Sequence, residues 1–557
     1  MDEVFDVIIV GAGSGGGFLA GEIASYGSLL ILEAGPTTVG VAKPGFGSPE
    51  TRKFSTQINL GTFQPDNPFF NNGKAFFAIP MYMIEGNQIN ASTQREPRLV
   101  GGGSAVNVGA WVRPRLVDWD GFAAETGVQG WTKAAFERHY QKAETILHVH
   151  RDRPENWNKA SILYRQACTD LGIPTHVTAS NRHRCIFCGH RLNAGVPCKY
   201  DSLMSTAITQ IPKALKAGAK LVDNASVQKI LIENGKAVGV TYIKDRQLIT
   251  ARARKLVVAS AGAINTPALL RSSGIHLIND NVGRYLRAHP GIPMDALMPG
   301  DTDWRTDRGY QWNIAHFTGE AANPLDVLVH ASAGFPANTP WVAASVGFFG
   351  KAYKDIMRTY RQRIGAFLFE LKPKNFGRVL GDVNSPVIFY PVVDKTGVLE
   401  KKMLADLVTS VRQVSDIFKK MGAIGTYPSA DLPPDILNQT LTTFITTSAA
   451  LHPQGTCRAG ADRATSVVDT NGMSWDIQNL MCCDASVIPN HISANPNATI
   501  MAIASRASEY VITNIFGKAL STTPPQPAFG KGAGVAEAGI AQAGPDSGDD
   551  NPLVVIQ

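Results

Sequence analysis

The stretch "FDVIIVGAGSGGGFLAGEIASYGSLLILEAG", residues 5–35, constrains the fold more than any other part of the chain. Residues 5–10 read as a buried β-strand, since a short apolar run ending at glycine suits a strand covered on both faces. Gly11, Gly13 and Gly16 then form G-x-G-x-x-G, followed by a helical stretch to Tyr26, a stop at Gly27, a second strand "LLIL" and Glu33 at its end. Gly11 suits the tight turn, Gly13 lets backbone approach a pyrophosphate, and Gly16 permits close helix–strand contact while the helix N-terminus faces the phosphates. Glu33 stands 22 residues after Gly11, where a carboxylate accepts ribose hydroxyls and disfavours a 2′-phosphate. The pattern predicts a dinucleotide site for FAD or NAD and does not choose between them.

At 557 residues the chain exceeds what one core covers, so two domains sharing a site are expected. Charged residues at 18% against 44% hydrophobic exclude a disordered or coiled-coil chain. The net charge of +7 comes from 53 basic and 46 acidic residues without a Lys/Arg run or aromatic interleaving, so no nucleic-acid partner is expected. No apolar segment reaches membrane-spanning length, and the acidic start "MDEVFDVIIVG" lacks signal-peptide character. A cytoplasmic location is the expectation. Seven cysteines, an odd number, do not read as a disulfide framework.

Four more segments carry chemistry. "RLVGGGSAVNVG", residues 98–109, brings bare backbone close to something and adds the short polar side chains of Ser104 and Asn107. "LVVASAGAINTPALLRSSGI", residues 256–275, predicts a strand and then a helix opened at Asn265-Thr266-Pro267. "ALHPQGTCRAG", residues 450–460, reads as a loop free to aim His452 into a cleft. "LMCCDASVIPNHISANPNATIMAIASRASEYV", residues 480–511, predicts a strand, a turn at Asp484-Ala485-Ser486, a Pro/Asn loop and a helix with small residues on one face.

In this order the segments resemble the glucose-methanol-choline (GMC) family of FAD-dependent oxidoreductases, from residue 5 to about residue 515, with "GGGSAVN" and "GAINTPALLRSSGI" matching its two longer signatures. The resemblance implies an α/β FAD-binding Rossmann-like domain with an interleaved α+β substrate domain built on an antiparallel sheet. Residues 1–130, 221–293 and 446–517 would form the first, residues 131–220 and 294–445 the second, and residues 518–557 a flexible tail rich in Gly, Ala, Pro and Asp. It implies FAD with its adenosine end on Gly11, Ala12, Gly13, Ser14, Gly16, Glu33 and Ala34, and Val227 near the adenine. Gly102, Ser104 and Asn107 would flank the flavin ring, and Asp484, Ala485 and Pro496 the ribityl chain and flavin. Gly103 stands where a second serine is common, and Val108 where a glycine is common.

The resemblance also gives His452 and Asn495 their roles. In the family the loop matching "HPQGTCRAG" carries the active-site base, and the position of Asn495 holds a His or an Asn. An imidazole with a near-neutral pKa can take a hydroxyl proton while the carbinol hydride leaves for the flavin, and a carboxamide can bind the developing alkoxide. His491 is the rival for the base. The activity implied is oxidation of an alcohol to an aldehyde or ketone, with oxygen, a quinone or a cytochrome as electron acceptor. A hydroxynitrile lyase or light-driven fatty-acid decarboxylase is the alternative within the family, against which the retention of both His452 and Asn495 argues.

"RCIFCGHRLNAGVPCKYDSLMST", residues 184–206, places Cys185, Cys188 and Cys198 as C-x2-C-x9-C. A metal-free loop is the reading preferred. An iron-sulfur cluster, which would make the chain a cytochrome-linked dehydrogenase, and zinc completed by His183 or His190 are the alternatives. Cys168, Cys457, Cys482 and Cys483 read as packing residues. The "CIFCG" run resembles a pattern of long-chain alcohol oxidases, and residues 69–87, "FFNNGKAFFAIPMYMIEGN", suit an apolar lid over a cavity or, equally, core. Both favour an alcohol with an apolar or aromatic body over a sugar or choline.

Overall fold

The computed structural model describes residues 3–37, 76–85, 88–185, 198, 201–289, 291–300, 314–320, 323–331, 351, 354, 363–369, 376–391, 401–447 and 451–520. Cys188, His190, residues 69–75 and 86–87 of the apolar stretch, and the tail from residue 521 lie outside them.

A sheet of seven strands is built around Glu3–Val10, which pairs in parallel with Leu29–Leu32 on one side and Gln247–Ala259 on the other. Lys220–Val222 extends it beyond Leu29–Leu32, and Gln247–Ala259 also takes Leu480–Cys482 in parallel and Lys236–Lys244 antiparallel. Val7, Ile8 and Ile9 are fully buried, as a parallel central strand covered on both faces requires. Helix Ser14–Ile23 follows and ends three residues before the expected Tyr26. A Cβ on Gly16 would lie 2.1 Å from the Gly11 carbonyl oxygen, so only glycine lets this helix pack so tightly on its strand.

Helix Gly262–Ser272 starts earlier than the expected Asn265, so Pro267 lies inside it. Pro267 has no N–H to offer the carbonyl of Ala263, and that oxygen is taken instead by the Thr456 hydroxyl at 2.5 Å. The bond ties the segment containing His452 to the first sheet's helix layer. Helix Asn497–Tyr510 packs against Ser14–Ile23 and Lys133–Ile146, and its buried residues include the small Ala498, Ala502 and Ser505.

The second layer is an antiparallel sheet of six strands, in the order Gly425–Tyr427, Ile292–Leu297, Arg363–Phe369, Asn323–Ala331, Ile314–Glu320 and His176–Val177. Helix Lys401–Lys420 covers one face, burying Leu407, Val411, Val414 and Phe418 at helical spacing. Residues 76–85 of the apolar stretch are a strand rather than a lid. Phe76–Glu85 pairs with Gln88–Pro97 and Val387–Tyr390, and Ile79 and Met81 enter the core of the second layer. Burial of its alternate side chains against that core is what holds it there. Phe136 and Tyr140 of helix Lys133–Ile146 lie in the first core, whereas Tyr164 of helix Lys159–Asp170 lies in the second.

Candidate active site

Ninety residues apart in sequence, the two glycine turns meet. The Gly101 amide donates to the Ala12 carbonyl at 2.9 Å, and Gly102, at φ +48°, would put a Cβ 2.8 Å from the Gly13 Cα. "GGGSAV" closes into one helical turn, Gly102–Val106, rather than an open turn, with the Asn107 carboxamide accepting from the Gly109 amide. The Ser104 hydroxyl donates to the Gly101 carbonyl at 2.6 Å and contacts Thr206, whose own hydroxyl donates to the Gly13 carbonyl. Thr206, not singled out in the sequence, therefore staples both turns. A Cβ on Gly103 would meet no atom within 4 Å, so the missing second serine leaves space rather than strain.

Glu33 is buried at the end of its strand, and its carboxylate accepts from the amides of Ala12 and Gly35 at 3.0 and 2.9 Å. Burial raises its pKa to about 7 against the pull of those two bonds. The Ala34 carbonyl accepts from the Arg98 guanidinium. The Ala225 amide donates to the Glu33 carbonyl, which brings Val227 beside this end. Ser14 donates to the Asn497 side chain at 2.8 Å, drawing together the N-termini of Ser14–Ile23 and Asn497–Tyr510, the latter capped by Pro496. Two helix dipoles converging on one spot suit an anion.

The Asp484 carboxylate accepts from the Gly262 amide, the Thr266 hydroxyl and the Ser486 amide, at 2.8, 2.6 and 2.7 Å. Burial raises its pKa and these donors oppose the rise. It starts the Gly262–Ser272 helix as much as it borders any cofactor. The Ala485 carbonyl accepts from the Gly455 amide, joining this corner to the His452 segment.

His452 does not sit on a free loop. Leu451–Gln454 forms an antiparallel ribbon with Arg287–His289 in which Arg287 faces Gln454 and His289 faces Leu451, so His452 and Pro453 together oppose Ala288. Two residues against one make a β-bulge, tolerant of a proline that cannot donate to the ladder. His452 has φ +60°, a conformation that costs a non-glycine residue about 1–3 kcal/mol.

The imidazole is held at both nitrogens. Its Nδ1 lies 2.9 Å from Nδ1 of His289, whose Nε2 lies 2.8 Å from the Ile492 carbonyl. A carbonyl only accepts, so His289 carries its proton on Nε2, and neutral His289 then accepts at Nδ1. His452 must donate from Nδ1, which leaves its Nε2 as a lone pair. That Nε2 faces the Asn495 carboxamide nitrogen at 3.3 Å. The structure thus brings His452 and Asn495 together. Asn495 Oδ1 is buried with no partner among the described residues. His491 lies flat on His289, ring centroids 4.4 Å apart.

Three neighbours escaped the sequence reading. His289 is fully buried beside His452, and its one visible sign is that "AHPG" and "LHPQ" hold the only two His-Pro pairs in the chain. The Gln454 side chain donates to the His452 carbonyl and accepts from the Ile492 amide. Asp118 accepts from both the amide and the hydroxyl of Ser493. The sequence does not mark Gln454 as a partner of Ile492 or Asp118 as a partner of Ser493, because those partners are distant in the chain.

Among the described residues no group of three His, Cys, Asp or Glu side chains is placed to hold a metal ion. The His183 ring stacks on His148 with centroids 4.2 Å apart. Cys168, Cys457, Cys482 and Cys483 are buried, and burial pushes the Cys168 thiol up to about 12, far from thiolate chemistry.

The N-terminal family model for GMC oxidoreductases matches residues 5–291, and its C-terminal counterpart matches residues 389–504. The chain belongs to the GMC oxidoreductase family. It is similar to a long-chain-alcohol oxidase of Arabidopsis thaliana, 24% identical over 92% of this chain and 68% of that one. It is equally similar to an oxygen-dependent choline dehydrogenase of Paraburkholderia xenovorans, 24% identical over 91% of this chain and 94% of that one. A variant of the Aspergillus oryzae RIB40 formate oxidase, solved in a study of its FAD modification, shares the fold. It has a TM-score of 0.68 at 16% identity, over 92% of this chain and 98% of that one. FAD is the cofactor of GMC oxidoreductases, and this chain fits it: the glycine turns leave backbone exposed to a ligand, and Asn497 Nδ2 is buried beside Ser14 with no partner among the described residues.

Proposed function

We propose that this GMC oxidoreductase oxidises an alcohol to an aldehyde or ketone with His452 as base and Asn495 as the group that binds the reacting oxygen. The observation that carries the reading is the Nδ1–Nδ1 contact of 2.9 Å, which leaves His452 Nε2 basic and directed at Asn495. An alcohol hydroxyl placed between the two donates its proton to Nε2, and the carboxamide N–H holds the oxygen as charge develops on it. His289 keeps the proton on His452 Nδ1 and accepts from the imidazolium once it forms. FAD, when bound, supplies the hydride acceptor. The residues to hold it are Gly11, Ala12, Gly13, Ser14, Gly16, Glu33, Ala34 and Val227 at the adenosine end, and Gly102, Ser104, Asn107, Asp484, Ala485 and Pro496 toward the ring.

Residues 1–130, 221–293 and 446–517 form the FAD-binding domain in this reading, and 131–220 with 294–445 the substrate domain. The substrate proposed is a primary alcohol with an apolar or aromatic body, supported by the likeness to a long-chain-alcohol oxidase and by the apolar "CIFCG" run. The electron acceptor is oxygen, a quinone or a cytochrome, and the cysteine loop is proposed to be metal-free. No described helix is long and apolar enough to cross a membrane, and a cytoplasmic location is proposed.

The test is anaerobic reduction of the purified flavoprotein by primary alcohols of rising chain length, benzyl-type alcohols, choline and glucose, followed through flavin absorbance. Affinity should improve by up to ~0.8 kcal/mol for each methylene buried. Glucose or choline as the best reductant would overturn the substrate class, and no reduction by any alcohol would overturn the reaction.

A further inference from the structure

We infer that Asp118 is a positioning residue for this site, acting through Ser493 and the Ile492 carbonyl on the protonation pattern of His289 and His452. The inference rests on the reading of His452 and Asn495 as the reacting pair. Asp118 lies in the first turn of helix Leu116–Thr126 and is 1% exposed. A carboxylate so buried needs several donors. One comes from its own helix start, the Arg115 amide at 2.8 Å. That bond alone would serve a capping role.

Two more donors come from across the chain. Ser493 gives its amide to Asp118 Oδ1 at 3.1 Å and its hydroxyl to Oδ2 at 2.6 Å, and the Arg115 guanidinium closes the arrangement by donating to the Ser493 hydroxyl at 2.7 Å. Ser493 is thus pinned at both its backbone and its side chain. Directly before it stands Ile492, whose carbonyl holds the His289 Nε2 proton, and two residues after it stands Asn495. Pinning the residue between them fixes both at once. Asp118 holds the N–H of the same peptide unit that carries the Ile492 carbonyl, and Gln454 holds the preceding peptide through the Ile492 amide, so the strap 492–495 is gripped from the helix and from the bulge. Without the Asp118 grip the Ile492 carbonyl is free to turn away, and His289 loses the acceptor that decides which nitrogen carries its proton. His452 then loses the fixed partner of its Nδ1.

The experiment uses FAD-loaded protein labelled with 15N in its histidines. Side-chain nitrogen spectra, assigned by comparison with His289→Ala and His452→Ala, are recorded for the parent, Asp118→Ala and Ser493→Ala, beside anaerobic flavin reduction. The parent should show His289 as one tautomer with the proton on Nε2. Asp118→Ala should move the His289 signals toward the averaged values of an untethered imidazole, and slow the limiting rate of flavin reduction about 10–100-fold with KM changed far less, as loss of alignment without loss of binding requires. Ser493→Ala, which keeps the amide bond to Asp118, should shift both readouts in the same direction by less, and decides the matter if Asp118→Ala does not fold. Unchanged histidine signals in these variants would overturn the inference. If no alcohol reduces the parent, the proposed reaction fails, and the nitrogen spectra still decide whether Asp118 sets the tautomer.

Discussion

The Nδ1 atoms of His289 and His452 lie 2.9 Å apart, although 163 residues separate them in the chain. Two imidazoles at that distance share one proton, and the Ile492 carbonyl on the far side of His289 decides which of them donates. The consequence is directional: the lone pair of His452 is presented at Nε2, toward Asn495.

His289→Phe keeps a ring to stack on His491 but removes both nitrogens. The limiting rate of flavin reduction by the best alcohol should fall on the order of 10–100-fold while FAD stays bound. Stopped-flow absorbance checks this, and a parental rate would show that the histidine pair is only packing.

His452→Ala removes the base itself. A loss on the order of 10²–10⁴-fold in flavin reduction is expected, with the visible spectrum of the bound flavin retained. Reduction as fast as in the parent would return His452 to a structural role and leave the site without a base.

Thr456 is fully buried, and its hydroxyl satisfies the carbonyl that Pro267 leaves open. Thr456→Val keeps the shape and strands that oxygen, at a cost of about 1–3 kcal/mol. Thr456→Ser should recover most of it. Thermal unfolding of the three proteins side by side is the measurement, and equal midpoints would mean that water or another group serves the Ala263 carbonyl.

His139 is buried between helices Lys133–Ile146 and Asn497–Tyr510, with Nδ1 3.0 Å from the Ser505 hydroxyl. Burial, reinforced by the charges of Arg138, Arg506 and Lys142, lowers its pKa from 6.5 to about 3. Between those values the unfolded chain binds a proton that the folded chain refuses. Its contribution to stability is therefore complete above about pH 6.5 and is lost as the pH falls toward 3. His139→Gln should lose less stability than the parent between pH 7.5 and 4.5, read as the difference in unfolding midpoints. An equal loss in both proteins would assign the acid sensitivity to other groups.

By itself the sequence determined what depends on short-range order. The strand, glycine turn, helix, strand and acid of residues 5–33 form one contiguous unit whose periodicity and spacing carry their own geometry, and "GGGSAVN" and "HPQGTCRAG" stand out as motifs. The candidate pair His452 and Asn495 came from the resemblance that those motifs carry, not from spacing. What tertiary structure alone decided are the relations between segments. Nothing local says that Gly101 donates to Ala12, that Thr456 supplies what Pro267 withholds, or that a buried histidine from residue 289 reaches His452. The apolar run of residues 76–85 reads alike as a lid or a core strand, and only its pairing with Gln88–Pro97 and Val387–Tyr390 separates the two. The expected loop at His452 became a bulged ribbon for the same reason. A residue's dihedrals can be overruled by the partner strand it meets, and that partner is chosen by how whole layers pack.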